Sequence, residues 1–479
     1  MNYPIIAYVL GWLLNFEAMF LVLPLITALI YGESAGWSIL VTILLCLVPG
    51  VFAIFCKPAR KQMYAREGLV ITALSWIVLS IFGALPFRIS GAIPHMVDAV
   101  FETASGFTTT GASILTDVEA MPHCLLFWRS FTHWIGGMGV LVFMIAILPM
   151  TGKGSDMYLM KAESPGPSVK KLVPKVKYSA VVLYEMYIVI TIVELILLLI
   201  GRMPLFDALL ITFGTAGTGG FAILNTGCAD YTVYQQVVIT VFMIAFGVNF
   251  SAYYLIWKKR YKEAAGMSEV WSYLGIIAAA IALITWNISS MYTNIGTALK
   301  DAAFQVGSII TTTGYSTTDF NLWPSLSKGI LVTLMFIGAC AGSTGGGMKV
   351  SRIQILVKEL VKELDYLVHP NTVRKIKFDG KQLEEGVQRG TNVYVGAYLL
   401  VFTASFLIVC LDNFDLESTF TAIAATLNNI GPALGTAGPA SNFSTFSDLS
   451  KIVMTFDMIA GRLELFPVLI LLSANTWKK

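Results

Sequence analysis

Asp98-Ala-Val-Phe-Glu-Thr-Ala-Ser-Gly-Phe-Thr-Thr-Thr-Gly111 decides the fold, because the chain writes the same pattern three more times. Asp207-Ala-Leu-Leu leads to Gly217-Thr-Gly-Gly220, and Asp301-Ala-Ala-Phe leads to Thr311-Thr-Thr-Gly314. Ser418, just after Glu417, leads to Asn428-Asn-Ile-Gly431. In all four, thirteen positions separate the opening polar residue from the closing glycine. Matched spacing of this kind marks internal duplication. Each unit opens on Asp or Ser, expected as a helix N-cap. About ten residues of helix follow, some 15 Å, which is half of a hydrocarbon core of about 30 Å. The helix dives in and cannot cross. It ends in Thr and Gly, where glycine opens backbone conformations closed to other residues. Irregular backbone survives at membrane depth only where it lines a watery cavity or is buried in protein. Its free carbonyls are suited to replace the water shell of a cation, and the negative dipole end of each short helix points the same way.

The composition sets these units in a membrane. Of the 479 residues 56% are apolar and 13% charged, against about 25% charged in a soluble domain. This excludes a soluble enzyme, a disordered chain and a nucleic-acid binder, and the net charge of +3 is too small for a polyanion partner. Four histidines and six cysteines without a Cys-x-x-Cys pair give no metal site or disulfide framework. Ten spanning helices are expected near 4–30, 36–56, 69–87, 125–148, 179–200, 233–257, 269–289, 328–360, 391–411 and 449–475. The first reads as a span, not as a cleaved leader. Lys57–Arg66, Lys153–Lys177, Lys258–Lys262, Arg352–Arg389 and Lys478–Lys479 gather most basic residues on alternate connections. By the positive-inside rule those connections and both termini are cytoplasmic, and the four repeated units lie on the outer side.

The expected fold is an all-α polytopic membrane protein of about ten transmembrane helices. Four parallel helix–pore-helix–filter–helix repeats surround one pore, preceded by two extra helices. The organisation follows as residues 1–66 for the N-terminal pair, 67–150 for the first repeat, and 151–262 for a cytoplasmic linker and the second. Residues 263–365 form the third, and 366–479 a further linker and the fourth. The ion-binding candidates are Thr110, Gly111, Gly219, Gly220, Thr313, Gly314, Ile430 and Gly431, with Thr109, Thr218, Thr312 and Asn429 just before them.

Repeated units with one filter glycine each resemble the Trk/Ktr/HKT superfamily of potassium transporters. Thr108-Thr-Thr-Gly-Ala, Gly217-Thr-Gly-Gly-Phe, Thr311-Thr-Thr-Gly-Tyr and Asn428-Asn-Ile-Gly-Pro look specifically like the TrkH/TrkG type. So do Gly342-Ser-Thr-Gly-Gly-Gly-Met-Lys349 and Gly461-Arg-Leu-Glu-Leu-Phe. The resemblance covers the whole chain. It implies a potassium uptake protein of the bacterial inner membrane and a homodimer with one pore per subunit. It also implies a cytosolic NAD-binding RCK-type regulatory subunit of the TrkA kind. No filter carries the Thr-Val-Gly-Tyr-Gly run of potassium channels. One glycine per repeat implies a shorter filter and a selectivity loose enough for Rb⁺ or Na⁺. The chain has no Gly-x-Gly-x-x-Gly of its own, so it is expected to carry no cofactor, and nucleotide dependence would enter through the partner. K⁺ is the transported ion.

The eighth span contains Gly338-Ala-Cys-Ala-Gly-Ser-Thr-Gly-Gly-Gly-Met-Lys349. Each glycine costs a helix about 1 kcal/mol against alanine, so an intramembrane loop is expected below the filter. It resembles the superfamily's obstructing loop, which makes Gly342, Ser343, Thr344, Gly345, Gly346, Gly347 and Lys349 gate candidates. Lys349 could equally face cytosolic water. Arg462 lies in the last span, where a charge costs at least about 2.5 kcal/mol. Neither Glu464 nor Asp457 shares its helix face, and an arginine in the matching segment of TrkH-like proteins faces the pore. Arg462 is therefore read as part of the gate. Asp98, Asp207 and Asp301 serve either as caps or as a cation-concentrating mouth. His95, His123 and His133 are placed near the outer side. An inverted-repeat transporter would need halves of opposite orientation, and an intramembrane enzyme a catalytic cluster. Channel-like conduction and H⁺- or Na⁺-coupled symport both remain open on this fold.

Overall fold

The computed structural model of the chain describes residues 1–55, 63–139, 176–371 and 375–478. The second half of the expected fourth span and most of the basic linker 151–178 lie outside the described residues. Among those residues the only sheet is a tight antiparallel hairpin, Lys377–Phe378 with Lys381–Gln382; everything else regular is helix.

Among the described residues six segments are long and apolar enough to cross a bilayer. They are Tyr3–Tyr31, Gly36–Phe55, Ala65–Ser90, Ser179–Ile200, Ser268–Met291 and Glu385–Asp412. They correspond to the expected first, second, third, fifth, seventh and ninth spans. Large apolar side chains remain exposed along them, such as Phe52, Val189, Ile196, Leu400 and Leu407. Acyl chains solvate such faces, so these helices form the rim of a multi-pass membrane protein.

The remaining four spans are not single helices. A helix ends part-way along each expected span: His123–Gly137, Val233–Phe246, Ser325–Ile337 and Asp448–Arg462. The expected continuous sixth span is corrected. Its continuation, Phe250–Trp257, turns by 91° after Gly247-Val-Asn249. The Asn249 side chain accepts the Ser251 amide there, so a new helix starts at the bend. The tenth span is corrected too, because Glu464 and Leu465 take φ of 55° and 67° before Phe466–Leu472 resumes. In the eighth the chain leaves helix after Ile337 and re-enters it at Val350.

Inside the rim sit four short helices, Met96–Phe107, Leu205–Gly217, Ile295–Ile310 and Leu416–Leu427. Phe101, Leu210, Phe304 and Ile423 are fully buried on them. The expected capping by Asp98, Asp207 and Asp301 does not occur. These helices begin earlier, so Asp98 and Asp207 stand in the first turn and Asp301 in mid-helix. Asn294 caps the third helix and Asp415 the fourth. Two of the aspartates are engaged by side chains instead. Lys451 reaches Asp98 at 2.6 Å and Lys300 reaches Asp301 at 2.9 Å.

Candidate functional site

The four short helices end in one shared turn. Thr109 N–H donates to Gly106 O and Thr110 N–H to Ser105 O, at 3.1 and 2.9 Å. The same pair of bonds recurs at Thr218 and Gly219, at Thr312 and Thr313, and at Asn429 and Ile430. This is a Schellman-type ending, whose left-handed position is ordinarily glycine's. Here Thr109, Thr218, Thr312 and Asn429 hold φ of 55°, 55°, 59° and 57°. A β-branched residue in that region is an outlier, and such strain gathers at functional sites. Two residues on, Gly111, Gly220, Gly314 and Gly431 again take positive φ, 78° to 97°. Left-handed residues alternating with ordinary ones turn successive carbonyls to one side.

The loops close into a ring. A Cβ on Gly111 would collide with the Gly219 carbonyl, one on Gly220 with that of Thr313, and one on Gly314 with that of Ile430. One on Gly431 would meet the Thr110 carbonyl, which returns to the first repeat. All four glycines line a single cavity with Asn225, Tyr315 and Asn442. The two amides before each of these glycines are consumed by the helix ends. Among the described residues no donor reaches the carbonyls of Thr110, Gly111, Gly219, Gly220, Thr313, Gly314, Ile430 or Gly431. Buried carbonyls almost always find a donor. Here Thr110, Gly219, Thr313 and Ile430 are buried, and the eight carbonyls stand at matched positions of the ring.

Directly beneath lies the loop 338–349, fastened on several sides. Gly346 N–H donates to Thr312 Oγ1 at 2.6 Å and Gly347 N–H to Asn428 O at 3.1 Å. Cys340 N–H donates to Gly247 O at 3.0 Å, and Gly342 O accepts Phe250 N–H at 3.0 Å, both at the break in the sixth span. Glu269 accepts the amides of Ala341 and Ser351 at 2.7 and 3.2 Å. Ser343 Oγ donates back to Cys340 O. Lys349 is buried, with φ of 77°, and its ammonium donates to Gly345 O. The reading of Lys349 as turned to water is thereby corrected.

Arg462 spans the space below the ring. Its guanidinium donates to Thr344 O of the loop at 2.7 Å and to Gly137 O at 2.7 Å, with Gly136 O as a further acceptor. The two glycine carbonyls belong to the C-terminal end of the first repeat's second helix, the negative end of its dipole. One side chain thus ties the loop 338–349 to the end of the helix His123–Gly137. Glu464 is engaged by Arg352 at 2.5 Å and Asp457 by Ser405 at 2.7 Å.

A family model described as TrkH, cation transport protein, matches residues 36–276 and 273–479. The chain belongs to the TrkH family of cation transport proteins. Among curated members, the Trk system potassium uptake protein TrkH of Salmonella typhimurium is 35% identical over the whole of both chains. TrkG of Escherichia coli K12 is 31% identical over 99% of this chain and 98% of its own. The crystal structure of the potassium transporter TrkH from Vibrio parahaemolyticus superposes with a TM-score of 0.90 at 32% identity, covering all of both chains. Proteins so named are transporters, and this TrkH-family chain is not an enzyme.

The sequence reading missed the supports behind the ring. Arg129 is 3% exposed and reaches the fully buried Glu102 at 2.6 Å. Glu102 also accepts Ser113 Oγ and Ile114 N–H, and Arg129 donates to Ala222 O, so the pair holds the strands that follow two filters. His133 is likewise internal. It bridges Gly106 O at 2.7 Å and the Phe221 amide at 3.2 Å. An acid in a short apolar helix (Glu102) and one opening an apolar span (Glu269) were the visible signals, since intramembrane acids are rarely idle. Cys124 and Cys228 are free thiols.

Proposed function

We propose that this chain takes up potassium across the bacterial inner membrane through one pore built from four repeats, 67–150, 151–262, 263–365 and 366–479, behind the N-terminal pair 1–66. The observation that carries the reading is the ring of eight carbonyls without donors, at Thr110/Gly111, Gly219/Gly220, Thr313/Gly314 and Ile430/Gly431. They replace the ion's hydration shell. The naming of the relatives as potassium uptake proteins supports K⁺ as that ion. The basic connections and both termini face the cytoplasm, which puts the ring at the outer mouth. The docked loop, with Gly342, Ser343, Thr344, Gly345, Gly346, Gly347 and Lys349, is the gate, and Arg462 holds it shut. A fixed guanidinium on the axis also opposes a passing cation. The protein works as a homodimer with a cytosolic NAD-binding, TrkA-like subunit, a partnership supported by its relatives' membership of a Trk system.

The test is ⁸⁶Rb⁺ uptake into liposomes holding the purified chain. Uptake blocked by K⁺ and indifferent to an imposed pH gradient is expected, and Arg462→Ala is expected to raise it severalfold. A fall in Arg462→Ala at equal protein level would overturn the gate, and uptake that requires inward proton flow would replace conduction by symport.

A further inference from the structure

We infer that the Thr312 hydroxyl is shared between gate and filter, so that undocking the loop and completing the innermost ion site are one event. The inference rests on the pore reading above. Four residues occupy the same left-handed position, and three of them are threonine, where glycine or asparagine would be less strained. Their side chains are not used alike. Thr109 Oγ1 is buried without a hydrogen-bond partner. Thr218 Oγ1 donates to its neighbour Gly217 O at 2.6 Å. Asn429 Nδ2 donates to Thr110 Oγ1 and to Met458 O, at 3.0 and 2.8 Å. Asn429 packs against Gly346, but among the described residues Thr312 alone of the four hydrogen-bonds to the loop, accepting Gly346 N–H at 2.6 Å.

The contact is close and specific. A Cβ on Gly346 would overlap the Asn428 carbonyl, and one on Gly345 would come within 2.7 Å of the Thr311 carbonyl. The loop is therefore seated on the inner face of the third and fourth filters. It does more than fill the space beneath them. A hydroxyl has one proton and two lone pairs. While Gly346 holds one of those lone pairs, Thr312 cannot turn freely towards an ion. Release of the loop returns it. By reciprocity, an ion that uses this oxygen binds better to the undocked state and so favours release.

Cys340 reports the loop directly, since it is buried within it. The full chain is prepared with Cys46, Cys56, Cys124, Cys228 and Cys410 replaced by Ser, and Cys340 is modified with a small methanethiosulfonate reagent in liposomes. Modification is expected to run about five- to tenfold faster in Thr312→Val, the order given by one lost buried hydrogen bond. Thr312→Ser should behave as the parent, and Thr218→Val should leave the labelling rate unchanged. Rising K⁺ should speed labelling in the parent but not in Thr312→Val. Equal labelling in Thr312→Val and Thr218→Val, or K⁺ acceleration that survives in Thr312→Val, would overturn the shared role. Failure of the filter reading has a separate signature: Rb⁺/Na⁺ preference in flux would then be untouched in both valine variants.

Discussion

Gly111 concentrates the demands placed on single residues. Its φ of 80° suits glycine, and its missing Cβ leaves room for the Gly219 carbonyl. Alanine there adds about 1–2 kcal/mol of left-handed strain and pushes against the neighbouring filter. Gly111→Ala is expected to cut ⁸⁶Rb⁺ uptake by at least about tenfold while the protein still inserts. Gly275→Ala, on a rim helix where a Cβ meets nothing within 4 Å, should transport like the parent. The Glu102–Arg129 pair sets a different demand. Both partners are buried, so removing one strands the other's charge at a penalty of about 3–5 kcal/mol. Arg129→Met should lower the thermal midpoint in detergent by several degrees, and adding Glu102→Gln should recover part of it. A midpoint unchanged in Arg129→Met would contradict the supporting role.

Among elements, the turn between the first two spans acts as a clasp. Glu33 accepts the amides of His123 and Cys124 at 2.7 and 2.9 Å, capping the first repeat's second helix from outside it. The His123 ring adds a contact at 2.9 Å and stacks on Tyr31. Partial burial raises the Glu33 carboxyl, and the Cys124 and His123 donors more than cancel it, leaving it below its ordinary 4.5. A carboxyl held low in the folded protein contributes stability that is complete above its unfolded value and fades as pH falls through the folded one. Unfolding measured from neutral pH down past 4.5 should show this loss in the parent. Glu33→Gln should weaken the protein by about 1 kcal/mol at neutral pH and flatten the acid side. An acid limb equally steep in both would remove the clasp.

At the scale of the molecule, the loop 338–349 and Arg462 meet through the Thr344 carbonyl, and the proposed function makes them the closure of the path. Gly346→Ala tests that closure without touching a charge. Its Cβ would meet the Asn428 carbonyl, so the loop must shift away from the filter. Uptake without any regulatory partner is expected to rise severalfold, and unchanged uptake at equal insertion would show that the loop does not close the path.

Repetition and hydropathy by themselves determined the rim helices, the four short helices and the four glycines that follow their shared turn. A matched count of thirteen residues and an apolar run of bilayer length are local properties that no packing partner can alter. The interruption at 338–349 was legible for the same reason, because glycine weakens a helix wherever it stands. Three things were decided only in the tertiary structure. The break after Phe246 arises in a strongly apolar run and that after Arg462 in one of mixed polarity, and the backbone groups freed at the first are satisfied across the molecule, as when Gly247 O accepts Cys340 N–H. The burial of Arg129 and Lys349 depends on acceptors far along the chain or on a left-handed turn that hydropathy does not register. Arg462 reaches Gly137, 325 positions away, because a half-buried guanidinium takes the carbonyls that the tertiary fold brings to it.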